Sequence, residues 1–226
     1  YSHPVLETGT INQPVHGGYL KDAPQAERLS EVSARLAKVV RNYDLSRPVT
    51  AALAGVIMSN HTDYPFNVDI CGYNYTENRY ELDHKTYPNR VIYGSETGRG
   101  INEWKAVRDS KYIFAQFIWT GLDYLGESGR YPSRGLNTGM IDFAGYLKVA
   151  GYLRRAMWSD EPVVYVGSSL APSGRRRWGG EPVQNWYYQD GQNVQATAYF
   201  NTPYVRLMLN GKQVGDIKEY NGDTYA

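Results

Sequence analysis

Residues 90–100, RVIYGSETGRG, carry a β-branched apolar run that stops at Gly-Ser-Glu-Thr-Gly and leaves one carboxylate, Glu96, at its end. Two other apolar runs end in polar or aromatic residues: VDICGYNY in Asn74 and Tyr75, and FAQFIW in Trp119. A carboxylate so placed can serve as a nucleophile or as a general acid or base. The aromatic rings beside it can stack on a ligand or pack into a core. Placement alone leaves Glu96 open between a catalytic group and a solvated loop residue, and for the two aromatics it favours packing over substrate contact.

Several other residues imitate a site. Asn102-Glu103 is an Asn-Glu pair of the kind that marks a general acid, but it falls in a helical pattern after the GSET turn and reads as a solvated face. Glu7, in VLETGT, has no strand pattern before it and reads as a loop carboxylate. His3, His16, His61 and His84 lack the i, i+4 spacing of helical metal ligands, so no metal site is expected. The glycines of GSETGRG lack the Lys-Ser/Thr ending of a phosphate loop. The run Arg175–Arg177 reads as a solvated linker rather than an anion site.

The elements that would position these residues follow from periodicity. Residues 26–41 put Leu29, Val32, Leu36, Val39 and Val40 on one helical face and charged residues on the other. RPVTAAL then reads as a short strand, and VDICGYNY, with no polar alternation, as a strand buried on both faces. Residues 76–87 read as a helix stopped by Pro88-Asn89, RVIYGSE as a strand, INEWKAVRDS as a helix and KYIFAQFIWTGLDY as a strand. Residues 146–158 form a last helix. The alternation predicts parallel β/α units, in which polar residues at strand C-termini and the loops after them face the active site. Four such units suggest the second half of an eight-stranded barrel.

After SDEPVVYVG the texture changes. SSLAPSGRRRWGG reads as a connection, and NVQATAYFN, YVRLMLNGK and QVGDIKEY as short strands, with Asn210-Gly211 as a tight hairpin turn. This is a β-sandwich pattern, and the domain boundary is placed near residues 159–162.

Composition agrees with an ordinary globular chain of 226 residues: 42% hydrophobic, 14% aromatic, 24 Lys+Arg against 23 Asp+Glu. A net charge of +1 disfavours nucleic acid as a partner. The 21 Tyr and 5 Trp suit carbohydrate sites and sheet surfaces alike. The single cysteine, Cys71, allows no internal disulfide, no apolar run has the length of a membrane span, and no signal peptide is visible, so the compartment stays open. A start without Met and an end inside a hairpin pattern suggest a piece of a longer polypeptide.

RPVTAAL, DICGYNYTENRYELDHKTYPNRVIYGSETG, FAQFIWTGLDYLGE and GMIDFAGYLKVAGYLRRAMW, taken in order over residues 26–160, resemble the glycoside hydrolases of family 2, which include β-galactosidases and β-glucuronidases. The resemblance implies an α/β fold: residues 1–160 as the C-terminal half of a TIM-barrel catalytic domain, and residues 161–226 as part of an immunoglobulin-like sandwich. It makes Glu96 the nucleophile of a retaining exo-β-glycosidase, most simply a β-galactosidase. Tyr75 would hydrogen-bond this nucleophile and Trp119 would form the floor of the sugar pocket, with Asn74 and Glu127 as further substrate-binding residues. The substrate would be an oligosaccharide or glycoside; some relatives use Mg²⁺ or Na⁺, but no ligand cluster is readable here, and no cofactor is identified.

One departure from the family pattern matters. The acid/base glutamate of the family lies in an Asn-Glu pair ending barrel strand 4, and no such pair occurs before the first matching stretch. Residues 1–25 then correspond to the loop after strand 4, and the first half of the barrel would come from elsewhere in the same or another chain, with a homo-oligomer also open. These 226 residues alone are expected to be inactive. For the longer protein, a secreted or periplasmic location would be compatible. Other family 2 specificities, β-glucuronidase among them, and a non-catalytic carbohydrate-binding or structural fragment are the alternatives.

Overall fold

The computed structural model describes residues 22, 24–172, 181–220 and 222. Glu7, His3, His16, the Arg175–Arg177 run and nearly all of the loop assigned to residues 1–25 lie outside the described residues. The chain divides into two compact units, the first ending at Trp119 and the second beginning at Thr120.

The first unit is built of parallel β/α steps. Helix α1 (Glu27–Tyr43) leads to strand β1 (Thr50–Leu53), short helix α2 (Val56–Ser59) to β2 (Ile70–Asn74), α3 (Tyr80–Thr86) to β3 (Val91–Thr97), and α4 (Ile101–Arg108) to β4 (Ile113–Ile118). The four strands lie in the order β1-β2-β3-β4, all parallel. The alternating sequence patterns require this, because parallel neighbours need a crossover and each crossover here carries helix. Cys71 to Asn74 of β2 are all buried, as its unbroken apolar run predicts.

On the helix-covered face, Leu53, Val56, Cys71, Tyr73, Tyr80, Ile92 and Ile113 form the core, flanked by Ala106 and Val107 of α4. The adjacent positions Tyr93 and Phe114 point to the other face, as strand alternation dictates. There Tyr93 meets Phe114 and Phe117 at ring-centroid distances of 5.6 and 5.7 Å. Phe114 and Phe117 are 62% and 60% exposed, so this aromatic face is open among the described residues. Helix α1 keeps its predicted amphipathic pattern, but only Ala37 is fully buried, while Leu36, Val39 and Val40 are exposed. Among the described residues β1 is an edge strand, so the sheet offers α1 too little surface to cover its whole apolar stripe.

A buried ionic cluster ties α3 to the sheet. The fully buried Asp83 carboxylate accepts hydrogen bonds from Tyr73 Oη (2.8 Å), Asn60 Nδ2 (3.0 Å) and Arg79 Nη2 (2.6 Å). Arg90 completes it, 4.0 Å from Asp83 and stacked 3.8 Å above the Tyr87 ring. A buried carboxylate costs several kcal/mol unless paired in this way, so the cluster fixes how α3 seats behind β2 and β3.

In the second unit, a small hairpin of β5 (Tyr124–Leu125) and β6 (Gly135–Leu136) precedes α5 (Val149–Trp158). This helix begins three residues later than its apolar pattern suggests. Asp142 Oδ1 accepts the N–H groups of Ala144 and Tyr146, and Gly145 at φ 88° closes a turn that occupies the first positions. Strand β7 (Val164–Leu170) pairs antiparallel with β8 (Val194–Phe200) along all seven residues. It therefore includes Ser168–Leu170, which the composition had placed in a connection. Both serines are buried, and Ser168 Oγ is satisfied by the Asn185 carbonyl and the Tyr188 hydroxyl.

Helix α5 packs on this pair, with Tyr152 stacked on Tyr165 at 4.6 Å. Short strands β9 (Tyr204–Val205), β10 (Met208–Leu209), β11 (Lys212–Gln213) and β12 (Lys218–Glu219) pair as β12 with β9 and β10 with β11. Asn210 and Gly211, at φ 50° and 78°, make the two-residue turn predicted from the dipeptide, since both central positions of such a turn need positive φ. No helix of the described residues is long and apolar enough to cross a membrane.

Candidate active site

The site arises from an irregularity in strand pairing. β2 and β3 run in step from Ile70↔Val91 to Tyr73↔Gly94, and then Asn74 pairs with Glu96, so Ser95 is an extra residue on β3. Such a bulge re-aims the side chains on either side of it. Tyr75 follows Asn74 at φ 51°, an uncommon conformation for a bulky residue, and its N–H donates to the Glu96 carbonyl at 2.9 Å. The turn brings the phenol back over the end of β3.

The two carboxylate oxygens of Glu96 are held separately. Tyr75 Oη donates to Oε1 at 2.8 Å and Asn74 Nδ2 to Oε2 at 2.8 Å. Asn74 is buried, and Tyr75 and Glu96 are half-buried. Glu96 is thus neither a freely solvated loop residue nor sealed in the core. It is a carboxylate pinned at a strand end with one side open, the arrangement a nucleophile needs.

Trp119 lies just past β4, half-buried, and its N–H donates to the Thr97 carbonyl at 3.0 Å. Asn74, Tyr75, Glu96 and Trp119 therefore stand at the C-terminal ends of three successive parallel strands. Glu127 belongs to the second unit, where it is exposed, at φ 42°, and accepts a hydrogen bond from Tyr124 Oη. The hydrogen bonds that hold Glu96 do not include it.

Sequence reasoning missed Ser95 and Gly72. Ser95 Oγ donates to Asn74 Oδ1 at 2.7 Å. A Cβ on Gly72 would fall 2.5 Å from both Cβ and Oγ of Ser95, so only glycine leaves room for that serine. Ser95 sits next to Glu96 in GSE, but no sequence signal reports a bulge.

Glu103 departs from expectation. It is half-buried rather than on a solvated face, and its carboxylate folds back over the start of α4, where a Cβ on Gly100 would lie 2.3 Å from Oε2. An acidic group is favourable at a helix N-terminus. Nearby Glu77 has its pKa raised, first by burial and then by the Glu103 charge. His84 stacks on Tyr112 at 4.1 Å, and among the described residues no group of three or more His, Cys, Asp or Glu could hold a metal ion.

No family model matches the chain. A solved glycosyl hydrolase family 2 member from Bacteroides cellulosilyticus superposes with a TM-score of 0.73 at 32% identity, over 88% of this chain and 27% of its own. A β-galactosidase of Bacteroides ovatus is 24% identical over 235 residues, covering 82% of this chain and 26% of its own length. Both relatives point to glycoside hydrolase family 2. A Formosa agariphila protein bearing a β-glucuronidase name is 25% identical over 149 residues, 63% of this chain and 12% of its own. The chain thus spans about a quarter of the length of the first relatives it matches.

Proposed function

We propose that this chain supplies the nucleophile side of a retaining exo-β-glycosidase. The observation that carries the reading is the Glu96 carboxylate, held by Tyr75 and Asn74 at the C-terminal end of a parallel strand, in a chain related to family 2. Glu96 would attack the anomeric carbon as the aglycone oxygen leaves with the bonding pair and takes a proton from an acid/base carboxyl about 5 to 5.5 Å away. Water, deprotonated by the same group, would then attack that carbon and release Glu96 as a carboxylate. Trp119 would stack on the sugar ring from its place beside β3.

The acid/base residue belongs, in this reading, to a part of the protein beyond these 226 residues, which would also supply the remaining strands of a TIM barrel. The open aromatic face of Tyr93, Phe114 and Phe117 fits the interior of such a barrel. Residues 161–226 are read as part of an immunoglobulin-like sandwich, with the boundary between the two domains near residues 159–162.

A β-galactoside is the leading substrate, because the better-covered curated relative is a β-galactosidase. A β-glucuronide is the second reading, favoured by the Formosa agariphila relative. Assaying aryl β-galactoside and aryl β-glucuronide with the full-length protein and with residues 1–226 tests both points. Turnover of the galactoside by the full-length protein alone is the expected result; preference for the glucuronide moves the assignment to the second reading, and robust turnover by residues 1–226 overturns the placement of the acid/base group.

A further inference from the structure

We propose that Ser95 is a positioning residue that acts on Glu96 through the side-chain amide of Asn74. This rests on the reading of Glu96 as the nucleophile. An asparagine amide has a donor end and an acceptor end, and only the donor end can serve a carboxylate. Here the chain runs from Ser95 O–H to Asn74 Oδ1 at 2.7 Å, and from Asn74 Nδ2–H to Glu96 Oε2 at 2.8 Å. The serine occupies the acceptor end, so the donor end is left for Glu96. Turning the amide over would set Oδ1 against the carboxylate oxygen and leave the serine to accept from Nδ2, its own O–H without the Asn74 acceptor.

Two features of the backbone make this contact. Ser95 is the extra residue of the β3 bulge, which lets it lean toward Asn74 instead of taking an ordinary place in the register. Gly72 leaves the space into which it leans, since a side chain there would meet Ser95 at 2.5 Å. Asn74 is 7% exposed, so its amide has little water to fall back on.

The serine matters most when Glu96 carries no charge. While Glu96 is a carboxylate, its own charge selects the donor end of Asn74. Once its oxygen is bonded to the anomeric carbon, the ester has lost the charge that did so, and the Ser95 hydroxyl remains to hold the amide. When water attacks that carbon and the bonding electrons return to Glu96, the Asn74 N–H is then already in place to receive the restored charge. Ser95 is thus expected to assist hydrolysis of the glycosyl-enzyme more than its formation.

The test uses the full-length protein with an activated aryl glycoside, on which release of the sugar limits turnover. Ser95→Ala should lower kcat roughly threefold to tenfold, the worth of one hydrogen bond between neutral groups, and KM should fall with it as the glycosyl-enzyme accumulates. Ser95→Thr, which keeps the hydroxyl, should restore both. In an Asn74→Ala background, Ser95→Ala should have no further effect, because its route to Glu96 is gone. Unchanged kinetics in Ser95→Ala, a Ser95→Thr protein as impaired as Ser95→Ala, or an undiminished loss in the Asn74→Ala background would each overturn the proposal. Covalent trapping by a 2-fluoro glycoside that persists in Glu96→Gln would instead defeat the nucleophile reading beneath it.

Discussion

Tyr75 holds a backbone conformation, φ 51°, that a bulky side chain seldom adopts. Such a conformation costs on the order of 1 kcal/mol or more and persists where surrounding contacts impose it. Here its return is visible, because the same turn delivers one backbone and one side-chain hydrogen bond to Glu96. Replacing Tyr75 with Phe keeps the ring and the turn and removes only the hydroxyl that holds Oε1. In the full-length protein kcat should fall roughly a hundredfold to a thousandfold, the range seen when one preorganised donor to a reacting oxygen is lost, while the thermal midpoint stays near that of the parent. Steady-state kinetics on an aryl glycoside checks this, and an unchanged kcat would show that Tyr75 only packs. That Glu96, Tyr75 and Trp119 stand at strand ends was legible because each ends an apolar run, but placement alone left Glu96 open and favoured packing for the two aromatics, and their proposed roles came from the family resemblance. The donors on Glu96 were legible only in part, since Asn74 reaches it through a register shift that leaves no trace in residue type.

At the level of elements, the parallel sheet was legible because its signals repeat: four strand patterns separated by helical ones, each crossover too long for a hairpin. The second unit was less so. Its strands β9 to β12 are two residues each, too short to carry a period, and β7 continues through two serines whose burial depends on partners far along the chain. The Asp83 cluster was likewise hidden, because Asn60, Tyr73, Arg79 and Arg90 converge only in the fold.

Packing behind β2 gives a pH prediction. Burial raises the Cys71 thiol from 9.0 to about 11 and pushes the Tyr73 and Tyr80 hydroxyls upward as well. Each fold-state value lies above the ordinary one, so the neutral forms stabilise the fold fully below about pH 9, and for Cys71 that contribution is lost as pH rises from 9.0 to about 11. A thiol-alkylating reagent at pH 8 should label Cys71 slowly in the folded chain and fast in denaturant, because the thiolate is the reactive form. Equal rates in both conditions would mean that the β2 core is not packed as described.

For the whole molecule, the decisive fact is proportion. The chain spans 26% of the Bacteroides ovatus β-galactosidase and 27% of the solved Bacteroides cellulosilyticus protein. It contains a pinned carboxylate without an identified acid/base partner, and an aromatic sheet face that lies open among the described residues. A retaining mechanism needs two carboxyl groups, so under the proposed function the pair is divided between Glu96 and the rest of a longer protein. In that proposal Glu96 is the member that becomes covalently attached to the sugar. The most direct measurement is to treat the full-length protein with a 2-deoxy-2-fluoro-β-galactosyl donor, digest it and locate the adduct by mass spectrometry, alongside the Glu96→Gln variant. The predicted result is one added fluorosugar on the peptide carrying YGSETG, absent from Glu96→Gln. An adduct on another carboxylate, or one that survives in Glu96→Gln, would mean that Glu96 is not the nucleophile.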